Sequence, residues 1–272
     1  MKKIFAGFIL PLLIISFTSL SSCKNSAPKQ QKSAEKQEAK EIKSQIETNV
    51  YPLPTSATVI KKLTELEVGY IIGISNPVAN AKKYFDSQSR AKNLGVYGAD
   101  LSYATLYNQQ QDVINYLDVI RSLSNELNMS KVYNEDLYAQ IKKNVDDKNE
   151  LVNILTKEFN DIYAFLSEND QQPLALLVVG GAWVEGMFLT THVSEAAYQA
   201  PDFSRVLLEQ KKSFDTYLEI TKPYLNDASI SDFVKLMEPV KKVYEGIGTS
   251  LTTQNIKDIA KVISDLREQI VK

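Results

Sequence analysis

Apolar residues recur three and four positions apart along much of the second half of the chain. That spacing lines one face of an α-helix. Val113, Leu117, Ile120, Ser124 and Leu127 make one such face. Leu151, Leu155, Ile162 and Leu166 make a second, with Ile154 and Phe165 beside it. Val206, Leu207, Phe214, Leu218 and Thr221 make a third. Ile256, Ile259, Ala260, Ile263, Leu266 and Ile270 make the most regular one, close to Lys272. Short polar residues mark helix starts, because their side chains accept from free N–H groups. They are Asn134 before Glu135 and Asp136, Asp170 before Gln171, Asp202 after Pro201, and Ser231 before Asp232. Asp146 and Asp147 read as caps in a turn between helices. No alternating β-branched run and no Asn-Gly turn points to strands. The expectation over residues 51–272 is one all-α helical-bundle domain of about eight or nine helices.

Residues 174–193 lack a polar face. A helix apolar all round belongs inside a protein or a membrane. Glu185 sits near the middle of this stretch, and Gly180, Gly181 and Gly186 are poor membrane-helix formers. The reading is therefore a central buried helix, whose glycines let neighbouring helices approach closely. Gly69 and Gly73, four apart, read the same way. Gly95 and Gly98 read as a break in the helical pattern, with Asp100 capping the helix that follows.

The amino-terminal part is different. Lys2 and Lys3 precede an apolar run over residues 4–17, as in a secretory signal. The run leads to Leu20-Ser21-Ser22-Cys23, and Cys23 is the one cysteine of the chain. This motif resembles the lipobox of bacterial lipoproteins. The resemblance implies cleavage before Cys23, so that residues 1–22 are the signal peptide, and acylation of the Cys23 thiol. Three acyl chains would hold the protein on a bilayer for good, since each buried methylene adds ~0.8 kcal/mol. Lys24 follows the cysteine and no acidic cluster comes next. That favours the outer membrane, with the domain facing the periplasm.

Residues 23–50 then read as the lipidated cysteine and a disordered polar tether, rich in Lys, Gln, Glu, Ala and Ser. As a flexible coil it would hold the domain ~30 Å from the membrane on average, with a stretched limit near ~90 Å. Lipobox, polar tether and helical domain together are similar to the helical lipoproteins of Bacteroidetes-type bacteria.

Composition removes several function classes. One His and one Cys cannot build a zinc finger or a disulfide framework. A net charge of -2 gives no footprint for nucleic acid. There is no Gly-x-Ser-x-Gly, no phosphate-binding loop and no dinucleotide fingerprint. No cofactor is expected.

Candidate chemistry gathers around Glu185. A carboxylate in an apolar helix needs a partner from another helix, or it carries a raised pKa in a pocket. The single Trp, Trp183, stands two residues before it. The single His, His192, stands seven after, on the same helix face. His192 and Glu195 resemble half of the Gly-x-His-x-x-Glu motif of imelysin-like proteins, with Thr190 at the glycine position, and that implies a metal alternative. Tyr97, Asp100 and Tyr103 are further ligand-binding candidates, as a possible cleft lining shared with Tyr107.

Three functions follow. The first is a non-enzymatic envelope lipoprotein that binds a protein or another envelope component. The second is a binder of a small ligand or metal. The third is a hydrolase, which would need two carboxylates ~5–10 Å apart in an open cleft.

Overall fold

The structure, a computed structural model, describes residues 69–132, 134–192, 198 and 201–272. The signal peptide, Cys23, the tether and Glu195 lie outside the described residues. Among the described residues there are nine α-helices and no strand. After a short 3-10 helix, Val78–Lys83, come α1 (Ser87–Leu106), α2 (Gln110–Glu126) and α3 (Glu135–Lys143). They are followed by α4 (Lys148–Glu168), α5 (Gln172–Thr191) and α6 (Pro201–Thr221). A 3-10 turn, Lys222–Tyr224, leads to α7 (Ala228–Leu236), α8 (Glu238–Glu245) and α9 (Thr253–Val271). The all-α bundle with a central apolar helix is the observed fold.

The apolar stripes become the inner faces. Val113, Leu117, Ile120, Ser124 and Leu127 are all buried, as are Leu151, Leu155, Ile162 and Leu166. Along α9, Ile256, Ile259, Ile263, Leu266 and Ile270 point inward. The helix α5 is long and apolar enough to cross a bilayer, yet 83% of its apolar window is buried within the fold. It packs against α1, α4, α6, α7 and α9.

The start signals divide. Asn134 caps α3 by accepting from Leu137 N–H, and Asp147 caps α4 by accepting from Glu150 N–H. Ser231 is not a start: α7 begins three residues earlier, where Asp227 accepts from Ser229 and Ile230 N–H. Asp170 belongs to the end of α4. Its φ of 59° is left-handed, and Gln171 N–H bonds back to Leu166 C=O at 2.9 Å. Asn108 (φ 55°) and Asn128 (φ 60°) end α1 and α2 the same way. Their following N–H groups reach Ala104 and Ser124 carbonyls at 2.8 Å. Asn and Asp take this conformation more readily than other non-glycine residues, so they stop helices where glycine is the usual stop.

The expected break at Gly95 and Gly98 does not occur. The helix α1 runs unbroken through both glycines, and Asp100 is mid-helix rather than a cap; the cap of α1 is Asp86. Packing explains this. A Cβ on Gly95 would stand 2.0 Å from Val178 O, and one on Gly181 would stand 2.0 Å from Lys92 O. The two glycines bring α1 and α5 backbone to backbone, and that contact outweighs weak helix propensity. Gly180 does the same on another side of α5, where a Cβ would meet the Phe233 ring at 2.2 Å and the Tyr217 hydroxyl at 2.5 Å. Among the described residues Gly69 and Gly73 are not packing positions: a Cβ on either meets nothing within 4 Å, and Gly73, at φ 79°, sits in a turn.

Alanine substitutions separate these roles. Gly95→Ala and Gly181→Ala should each destabilise the fold by roughly 1–3 kcal/mol, because backbone cannot move aside. Gly98→Ala should stabilise it by roughly 0.5–1 kcal/mol, because a Cβ there meets nothing within 4 Å. Urea unfolding midpoints of the three variants check the opposite signs.

Candidate functional site

The close approach of α1 and α5 brings two acids together. Glu185 on α5 and Asp100 on α1 are both 0% exposed. Their partner is Arg267 on α9, with a side chain 12% exposed. Its Nε donates to Glu185 Oε2 at 2.6 Å and its Nη2 donates to Glu185 Oε1 at 2.8 Å. This two-pronged geometry suits the planar guanidinium. Nη2 also donates to Ile74 C=O at 3.3 Å, in the segment that precedes α1. The guanidinium lies 4.0 Å from the centre of the Phe188 ring. Phe188 in turn packs on His192, with ring centres 4.0 Å apart.

Two carboxyls against one guanidinium leave one negative charge too many in a dry interior. Burial, and next the adjacent Glu185 carboxylate, push the Asp100 pKa well above its ordinary value, while Arg267 opposes. Geometry agrees. Asp100 Oδ2 accepts from Asn76 N–H at 3.1 Å, but its Oδ1 is buried without a donor. Once protonated, the carboxyl becomes a donor for the neighbouring Glu185 carboxylate. Asp100 therefore holds its proton, and the cluster closes as one neutral acid and one ion pair.

Around it runs a polar belt. Asn76 Nδ2 donates to the Tyr84 hydroxyl at 3.0 Å, which donates to Val271 C=O at 3.1 Å. Asn93 Nδ2 donates to Ile270 C=O at 2.9 Å. The Tyr97 hydroxyl donates to Pro77 C=O at 2.9 Å, and burial raises its pKa.

The residues expected to line one site are thus divided. Glu185 and Asp100 meet, and Tyr97 stands in the belt next to them. His192 is linked to Arg267 through Phe188 and is half-buried. Burial lowers its pKa, Arg267 adds to this, and a bond to Phe188 C=O at 2.9 Å opposes it. Trp183 packs elsewhere, against Phe214 with ring centres 4.9 Å apart. Tyr103 stacks with Tyr70 at 5.0 Å and meets Tyr107 edge-on at 5.0 Å, while its hydroxyl accepts from Ile71 N–H. Among the described residues no group of three or more His, Cys, Asp or Glu could hold a metal ion. The Glu195 half of the metal alternative lies outside the described residues.

Arg267 was missed in the sequence, although a signal existed. It is one of four arginines and stands within the most regular apolar stripe, between Leu266 and Ile270.

A second, open place was missed as well. A polar surface recess of about 460 Å3 lies between α3, the turn before it, and α4. Lys131, Asn134, Asp136, Gln140, Lys157 and Asp161 line it. An apolar slot of about 30 Å3 lies between α1, α2, α4 and α5, walled by Leu94, Leu101, Ile120, Phe159 and Val178 with Gly98 at one side. Glu158 lines both. Its side chain is 12% exposed, and its nearest cation is Lys157 at 3.6 Å, on a side chain 71% exposed. Burial pushes the Glu158 carboxyl above its ordinary value, and Lys157 opposes.

Comparison with models of protein families, with curated proteins and with solved structures finds no match to this chain. The function has to be read from these two places. The first is buried, and its guanidinium is held by Glu185 and the Ile74 carbonyl of the same chain. The second is open and its carboxylate is under-compensated.

Arg267→Met should cost about 3–5 kcal/mol, since it strands Glu185 without a cation. Asp100 has a native pKa above the unfolded value, so its stabilising effect is complete below the ordinary Asp pKa of 3.8. The effect is lost as pH rises through the native value. Asp100→Asn keeps a donor toward Glu185 and an acceptor for Asn76. It should therefore gain stability relative to the parent chain between pH 4 and pH 8. Urea titrations across that range measure both effects.

Proposed function

We propose that this chain is a lipid-anchored module of the cell envelope whose helical domain acts by binding a protein or another envelope component, not by catalysis. Leu20-Ser21-Ser22-Cys23 supports the anchor, with the acylated cysteine on the outer membrane and the domain in the periplasm. One observation carries the binding reading: the acids singled out by the sequence, Asp100 and Glu185, are 0% exposed and bound to partners from their own chain. Neither can reach a substrate without opening the bundle. The place that does face solvent is the recess at Glu158, whose lining offers amides, lysines and carboxylates, with Asp161 already paired to Lys157. A small-ligand binder remains the second reading. The same recess favours it, in place of Trp183, Glu185 and His192.

Two measurements test the proposal. Cells fed labelled palmitate should label the parent chain, which should stay with the membrane after alkaline washing; Cys23→Ala should lose both properties. An unlabelled parent chain would remove the anchor. A photo-crosslinking residue in place of Lys157 should give one discrete adduct in the native envelope. The same residue in place of Lys235, on the exposed face of α7, should give none. Adducts of equal yield from both positions would remove the binding reading.

A further inference from the structure

The recess and the slot differ in kind, and their difference defines an occupant. The slot is apolar and small, about 30 Å3, enough for the terminal methyl group of an aliphatic side chain and too small for a ring system. Gly98 keeps it open, since no atom lies within 4 Å of the position a Cβ would take. The recess is polar and far larger, about 460 Å3. It is lined by the Gln140 amide, which suits a peptide backbone, and by Asn134, whose side-chain oxygen already caps α3.

Charge adds a second condition. The recess carries Asp136, Glu158 and Asp161 against Lys131 and Lys157. Lys157 is already held by Asp161 at 2.7 Å, so its distance of 3.6 Å from Glu158 is a loose pairing. A largely covered carboxylate with one loosely paired cation is stabilised by whatever brings a closer one. Residues 51–272 as a whole carry a charge of -6, which also favours a basic partner.

We propose that the slot and recess at Glu158 form a docking site for a basic peptide segment of a partner protein, which sets the terminal methyl of one aliphatic side chain beside Gly98 and an adjacent Lys or Arg on Glu158. This names the partner class for the binding reading above and rests on it. Glu158 acts as the acceptor, and Gly98 acts by leaving room.

The test is a titration of the full chain, methyl-labelled at Ile, Leu and Val and held in detergent micelles. The probe is the blocked tetrapeptide Gly-Leu-Lys-Gly. Methyl signals of Leu94, Leu101, Ile120 and Ile162 should shift saturably, while those of Ile256 on α9 should not. Replacing the probe's Leu by Ala, or its Lys by Gln, should each weaken binding about tenfold. Glu158→Gln should erase the difference between the Lys and Gln probes. Gly98→Ala should place a methyl in the slot and erase the difference between the Leu and Ala probes. Both variants should keep the parent's unfolding midpoint within a few degrees.

Absence of saturable shifts at the slot would overturn the proposal. So would a Gly98→Ala chain that still prefers the Leu probe, or a Glu158→Gln chain that still prefers Lys. Isoamylamine binding as tightly as the tetrapeptide would overturn the assignment to a peptide. None of these results bears on acylation of Cys23, which is read by the palmitate label.

Discussion

The backbone contact between α1 and α5 is the constraint from which the rest of the structure follows. Gly95 faces Val178 and Ala182, and Gly181 faces Lys92. Further along, Asp100 meets Glu185, and Tyr103 and Leu106 pack with Leu189. The contacts advance in the same direction on both helices, so the pair runs parallel. Asp100 is five residues past Gly95, and Glu185 is four past Gly181. At 1.5 Å rise per residue, fixing the glycines fixes the acids at nearly the same height. The charge cluster is a consequence of the glycine register rather than an independent feature.

That register creates an electrostatic problem, and both ends of the domain take part in solving it. Arg267 comes from the last helix. Ile74 and Asn76, which bond to Arg267 and Asp100, come from the segment before the first. The retained proton on Asp100 removes the remaining excess charge. A buried ion pair contributes little net stability compared with apolar packing, but it is specific. Sliding α9 by one residue would take the guanidinium from Glu185 and the Ile74 carbonyl at once, and with it the positive charge near Asp100. The apolar stripe of α9 alone would tolerate small shifts. The cluster does not, and so it sets the register that the stripe leaves loose.

The periodic part of the fold was legible in the sequence because apolar spacing reports directly on which face is buried. The four stripes, the central position of α5 and the caps at Asn134 and Asp147 follow from local patterns. Helix ends were less legible. Asn108, Asn128 and Asp170 stop their helices in a left-handed conformation that their side chains only permit, and an acid before a helix suggests a start as readily as a stop. Gly95 shows a different limit. A glycine inside a helix suggests a break until the facing helix is known, and its partner Gly181 is far away in sequence. The site was half legible for the same reason. Glu185 advertised itself by standing in an apolar segment, and its need for a cation was clear. Its cation is 82 residues away. Glu158 carried no such contrast, because it lies between Lys157 and Phe159 on an amphipathic helix where a carboxylate is ordinary.

The contrast between the two glutamates separates scaffold from surface. Glu185 is fully buried, and the chain supplies its guanidinium from α9 with two short bonds. Glu158 is nearly as well covered at the side chain, yet the chain places its one nearby lysine at 3.6 Å and ties that lysine to Asp161. A chain able to bring Arg267 across the bundle to Glu185 has left Glu158 facing a recess with room beyond it. Folding stability gains nothing from an under-compensated carboxylate beside an unfilled apolar slot, since filling either would lower the free energy of the native state. Both features reduce their cost only when something else occupies them. The domain thus pairs the carboxylate at its centre closely and leaves the Glu158 carboxylate loosely paired beside an open recess.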